Sequence, residues 1–258
     1  MRNLRSVLLT SVTMVVVSIC SSQAADLGAS PYYTKAAPPV VAAVYDWSGL
    51  YLGVNGGYAS AHGCWSVDDP FPTGCHNSTG ATAGGQLGYR WQVTNWVFGL
   101  EGQGNWADLS GSNVVSSNMG FLNKGTNQTK IDSLAMFTGS VGVAMSNVLL
   151  YVKGGGAIVN DSYNYTNQFP NRGGTGSASR WDPAAGVGVE IGFAQNWTIG
   201  AEYNHVFGAN KDLTMNCVDG TGIGACGGSS DKFHITQDVD MALVRLNYRF
   251  GGPVVARY

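Results

Sequence analysis

Charge is scarce in this chain. Only 12% of its 258 residues are Asp, Glu, Lys or Arg, and the formal net charge is −2. No cluster of Lys and Arg marks a nucleic-acid footprint, so that class of partner is excluded. Long apolar runs are missing too. The one near the N-terminus, Ser6 to Ile19, falls short of the about 20 apolar residues that a membrane-crossing helix needs. Also absent are a nucleophile motif and a water-activating metal constellation, which leaves little ground for an enzyme and none for a cofactor. Scarce charge does not mean disorder here, because 44% of the residues are apolar and aromatic residues are frequent.

What is present is alternation. In Ala242-Leu243-Val244-Arg245-Leu246-Asn247-Tyr248-Arg249-Phe250 every second residue is apolar, and Arg245, Asn247 and Arg249 fall between them. Successive strand side chains point to opposite faces, so this segment has one greasy face and one wet face. The same pattern recurs from about Trp47, Ala81, Trp96, Ser133, Val148, Arg180 and Trp197. Eight such strands predict an antiparallel transmembrane β-barrel, apolar outside and polar inside. A soluble periplasmic β-sandwich is the runner-up.

Residues 1–24 read as an export signal: Arg2 and Arg5, the uncharged run, then Ser22-Gln23-Ala24 before a cleavage point. Lipidation at Cys20 is disfavoured, since Ile19 is large where such a site wants a small residue. Residues 25–46 read as a periplasmic lead-in, 47–250 as the barrel and 251–258 as a tail. Short turns are expected at Gln92 to Asn95, which would pair Trp91 with Trp96, and at Ser146-Asn147. A third lies around Gln195 to Trp197 and needs an odd loop or a bulge to keep parity. Residues 61–80, 108–131, 160–179 and 209–236 are rich in Asn, Ser, Thr, Gly and Asp and read as long surface loops. Short turns on one side and long loops on the other place the short side in the periplasm.

Four cysteines remain beyond the signal. An even number in an exported protein favours disulfides, with Cys64–Cys75 and Cys217–Cys226 preferred over the other pairings. A metal site using His62 and His76 beside the first pair lacks zinc-finger spacing. Trp47, Trp91, Trp96 and Trp197 cluster beside the short turns, with Phe250 at the same level. Tryptophan favours the headgroup interface, so these five are expected to form a periplasmic aromatic girdle.

Inward parity collects Arg90, Glu101, Lys153, Arg180, Asp182, Glu190, Glu202, Arg245 and Arg249. The interior of an eight-stranded barrel is just wide enough for its own side chains, and charges in so narrow a space must pair. A salt-bridge network filling the lumen is expected, with Arg90 near Glu101 and with Arg180, Arg245 and Lys153 serving Glu190 and Glu202. The alternative is a narrow diffusion porin for small solutes or ions. A remote one is a barrel hydrolase using His205 with a nearby Ser.

The opening Asp46-Trp47-Ser48-Gly49-Leu50-Tyr51-Leu52-Gly53-Val54-Asn55-Gly56-Gly57-Tyr58 resembles the first-strand signature of alphaproteobacterial outer-membrane proteins of the RopB type, within the OmpA-like barrel group. Trp91 through Glu101, Gly186 to Glu190, Trp197 to Tyr203 and Leu246 to Phe250 are similar to later blocks. The resemblance spans about residues 46 to 258 and implies an eight-stranded barrel, an outer-membrane location and a structural, envelope-integrity role. Members are often labelled porins. Partners would be outer-membrane lipid, lipopolysaccharide and the insertion machinery that reads the C-terminal strand, at Phe250 or Tyr258; a monomer is expected.

Overall fold

Nine strands follow one another: β1 Gly49–Val67, β2 Phe71–Val93, β3 Trp96–Val115, β4 Gly125–Met145, β5 Val148–Thr166, β6 Gly173–Ala194, β7 Trp197–Val206, β8 Lys211–Val218 and β9 Ser230–Phe250. The computed structural model describes residues 45–67, 71–115, 125–166, 173–208, 211–218 and 230–251. Residues 1–44, on which the expected signal and most of the expected lead-in fall, lie outside those residues, as do the tail beyond Gly251 and Cys226. So does the Cys217 side chain, and with it the second disulfide.

From β1 to β7 each strand pairs antiparallel with the next, β7 pairs with β9, and β1 pairs with β9 to close the ring. β8 fills the place above the end of β7, between β6 and β9. Nine strands therefore make eight positions around the barrel. Closure leaves no open edge, which a wall in lipid requires.

One of the short turns differs from expectation in detail, and another takes the bulge that its parity requires. Thr94-Asn95 is a two-residue turn that pairs Val93 with Trp96 and Trp91 with Phe98. The shift is two residues, so parity survives and Trp91 and Trp96 both stay on the outer wall. After Gly192 the β6–β7 register slips by one residue, and Ala194 faces Trp197. This bulge restores the parity that lets Glu190 and Glu202 both point inward.

The larger difference concerns the long loops. Most of residues 61–80, 108–131 and 160–179, and part of 209–236, continue the strands. Strands of 19 to 23 residues are about twice the 9–11 that a tilted strand needs to cross a bilayer. Beyond the apolar band the alternation changes sign. Ala61, Trp65, Leu109, Ile131, Tyr163 and Ile235 are buried inward, while His62, Ser112, Gln128, Lys130, Asp132 and Asn164 lie exposed on the outer wall. A barrel wall meeting water outside and packing on itself inside needs that inverted pattern.

Candidate functional site

The lumen is the site, and it is layered. At the short-turn mouth Trp47 lies 1% exposed among Val97, Ala144, Leu149 and Tyr151, with Tyr45 packed against the group. Its backbone NH donates to Gln92 Oε1 at 3.0 Å. Arg249 ties this cork to the rim: it donates to the Ser48 and Gln195 carbonyls and lies 3.7 Å from Asp46. Trp47 is thus not part of the lipid-facing girdle. It precedes β1 and sits where the apolar mouth of the barrel is open to be filled, so it folds inward. Trp91, Trp96, Trp197 and Phe250 face outward beside the short turns, Trp91 stacked on Phe98 and Trp197 edge-on to Tyr248. Tyr58, Trp106, Trp181 and Tyr203 are exposed toward the other end of the apolar band.

Above the cork comes an ionic layer. Arg90 reaches across the lumen to Glu190 with two parallel hydrogen bonds of 2.8 and 2.6 Å, joined by Thr198 at 3.0 Å. Arg90 pairs with Glu190 rather than Glu101, because the ring brings β2 opposite β6 and a guanidinium spans the narrow gap. Glu101, Lys153, Glu202 and Arg245 close a quartet: Lys153 lies 3.2 Å from Glu101 and 2.7 Å from Glu202, and Arg245 bridges both glutamates. Tyr51 donates to Glu101 and Tyr151 to Glu202, each at 2.6 Å. The Arg90 guanidinium also stacks over Tyr51 at 4.3 Å. Three cations thus meet three anions in a layer nearly sealed from solvent. Parity places Tyr51 and Tyr151 inward between Leu50 and Leu52 and between Leu150 and Val152, a signal the charge inventory passes over.

Glutamine and asparagine side chains follow. Asn55, Gln86, Asn105 and Asn247 form one chain of hydrogen bonds of 2.6 to 2.7 Å. The next layer is apolar: Ala59, Ala61, Leu109, Ile131, Leu134, Met136, Ala157, Val159, Ala184, Val206, Val239, Met241 and Leu243 pack together. The expectation of a lumen largely filled by charged side chains is therefore corrected to one with a greasy section. Ions crossing it would have to shed water.

Arg180 does not join the glutamates. It sits past the apolar layer, 3.2 Å from Asp161 and 3.0 Å from Asp182. Asp161 falls in a segment read as loop, so its inward parity is invisible until the strand is seen to continue. Around this triad lie Tyr163, Trp65, Gln237 and His76, whose Nε2 meets Thr129 Oγ1 at 3.0 Å. Burial, with a smaller contribution from nearby His62, lowers the His76 pKa below that of a free imidazole.

His205 points out of the barrel. Its Nδ1 lies 2.7 Å from Asp240 and its ring packs on Phe207 at 4.4 Å. Ser60 is opposite Asp240 on β1, so Asp240 stands between that hydroxyl and the imidazole.

Glu190→Gln keeps a hydrogen-bonding group against Arg90 but removes the countercharge. We expect a loss of roughly 3 kcal/mol, the lower part of the range for breaking a buried pair, read from urea unfolding in lipid vesicles. Asp161→Asn should also cost stability, unlike charge changes on the outward side chains nearby. An unchanged midpoint for Glu190→Gln would mean that the layer is hydrated.

The Outer membrane protein beta-barrel domain family matches residues 13–250. The 31 kDa outer-membrane immunogenic proteins of Brucella melitensis and Brucella suis are each 29% identical over 266 residues, covering 96% of this chain and all of theirs. Among solved structures, OprG of Pseudomonas aeruginosa is 11% identical, with TM-score 0.45 over 80% of this chain and 99% of that one. Ail of Yersinia pestis is 15% identical, with TM-score 0.37 over 79% and 99%. The match to the family runs through all nine strands, and the chain belongs to the outer-membrane beta-barrel domain family as a barrel of the outer membrane.

Proposed function

We propose that this barrel is a non-enzymatic envelope protein of the RopB type, with a lumen closed to solutes. It anchors in the outer membrane and displays strand extensions at the surface. One observation carries the reading: three obstructions lie in series along the lumen, namely the Trp47 cork, the ionic layer and the apolar layer. Opening any one leaves two. The short turns would face the periplasm, residues 1–24 would be the cleaved export signal, and residues 25–46 would precede the barrel there. Lipid and lipopolysaccharide would meet the outer wall, the insertion machinery would read β9, and the closed ring would stand as a monomer. Against an enzyme stands the placing of His205 on the outer wall, with Asp240 between it and Ser60.

The measurement is single-channel recording of the refolded protein in a planar bilayer. No stable conductance steps are expected. Large, long-lived steps from a monomer would replace this reading with a diffusion porin. Lipid hydrolysis lost in His205→Ala would replace it with an enzyme.

A further inference from the structure

On the outer wall above the apolar band, β1 and β2 bring three metal-ligating side chains together. Cys64 and Cys75 are register partners joined as a disulfide. Two residues down each strand, His62 and Asn77 are partners as well. All four side chains share the outward face. The imidazole and sulfur ligand atoms lie within 4.8 Å of one another, with His62 and Cys75 exposed and Cys64 half-buried. His76 faces the lumen and takes no part.

The tautomer of His62 is fixed by its neighbour. Nδ1 lies 2.6 Å from Asn77 Oδ1, and an amide oxygen only accepts. Nδ1 therefore carries the proton and donates, which leaves a lone pair on Nε2. That lone pair points toward Cys64 Sγ, 3.7 Å away. Metal-binding histidines are held in this way, one nitrogen donating to an oxygen and the other left for the ion.

We propose that this hairpin is a redox-gated site for a soft divalent cation of the zinc type, silent as the disulfide and formed on reduction. A tetrahedral ion with sulfurs at about 2.3 Å and nitrogen at about 2.0–2.1 Å needs an S···N edge of roughly 3.6 Å, close to the separation present. Directly paired strand positions also hold two thiolates near the S···S edge of such an ion. Two molecules of a small external thiol supply the reduction. The first attacks one sulfur to form a mixed disulfide, and the second releases it. The Cys64–Cys75 bond gains two electrons and two protons, and the external thiols leave as their own disulfide. The cation then displaces both thiol protons and is held by Cys64, Cys75, His62 and a water. The site lies outside the lumen, so its fate is independent of whether the barrel conducts.

The test uses the full chain, refolded, with Cys20, Cys217 and Cys226 changed to Ser, and Cd2+ and Zn2+ as probes. After reduction one equivalent of Cd2+ should bind, with thiolate-to-metal absorption, and Zn2+ should compete. The oxidised protein should bind neither. His62→Ala should weaken binding at least tenfold, and Asn77→Leu by about 10–100-fold, the usual effect of losing the group that orients a ligand. His76→Ala should change nothing. Equal binding by the oxidised form, no binding after reduction, or a His62→Ala variant indistinguishable from the parent would each overturn the proposal. Heat-shifted gel migration of the same samples reports whether the barrel is intact. Unfolding on reduction would also count against it, since the ligands would no longer be held together.

Discussion

Arg245→Met is expected to be the most damaging single change in the lumen. Arg245 bridges Glu101 and Glu202 and also donates to Tyr151 at 3.1 Å. Met fills similar space with no charge. Two buried carboxylates would then share Lys153 alone, which already contacts both. Breaking a buried network costs about 3–5 kcal/mol, because the stranded charge has neither water nor a partner. With two carboxylates affected, a loss of about 5 kcal/mol is expected in urea unfolding. The double variant Arg245→Met/Glu101→Gln should recover much of it, since one negative charge then faces one Lys153. Failure of the second change to recover stability would mean that Arg245 acts by packing. The same cycle on Arg90 and Glu190 offers a control, as that pair has no shared cation.

How much of this was legible in the residues depends on which side of the wall faces lipid. Where lipid lies outside, apolar residues alternate with polar ones, and the parity of Glu101, Lys153, Glu190, Glu202 and Arg245 follows directly. Partners do not follow. Hairpin register brings Arg90 diagonal to Glu101, but the ion pair runs across the lumen to Glu190, a contact set by closure of the ring. Where the barrel rises past the bilayer, Ser, Thr, Asn and Gly on the wet outer face resemble loop composition, and the inward Leu109, Ile131 and Tyr163 lose their signal. The bulge at Asp132 in β4 shifts parity as well: buried positions are even from Leu134 to Thr138 but odd from Asn127 to Ile131, while β3 keeps one parity through Leu109. Trp47 departs from its expected place in the girdle for a related reason. Its neighbours in sequence suggest an interface, and its burial comes from residues about 50 to 100 positions away.

Trp47→Ala separates stability from permeation. Truncating a large buried aromatic costs about 3–5 kcal/mol through lost contact and the cavity left behind. The cavity here opens at the short-turn mouth, where Tyr45 can move in only partly, because Arg249 lies 5.7 Å from its ring and its hydroxyl meets the Trp197 carbonyl at 3.5 Å. A clear drop in the urea midpoint is therefore expected. Conductance should stay near the parent's, since the Arg90–Glu190 pair and the quartet remain above the cavity and the apolar layer above them. Adding Arg245→Met removes charge from the second obstruction, yet the third still asks an ion to shed its water. If Trp47→Ala alone produces stable conductance steps, the cork is the gate and the inner layers are wet. If it leaves the urea midpoint unchanged, Trp47 does not pack as tightly as its 1% exposure implies.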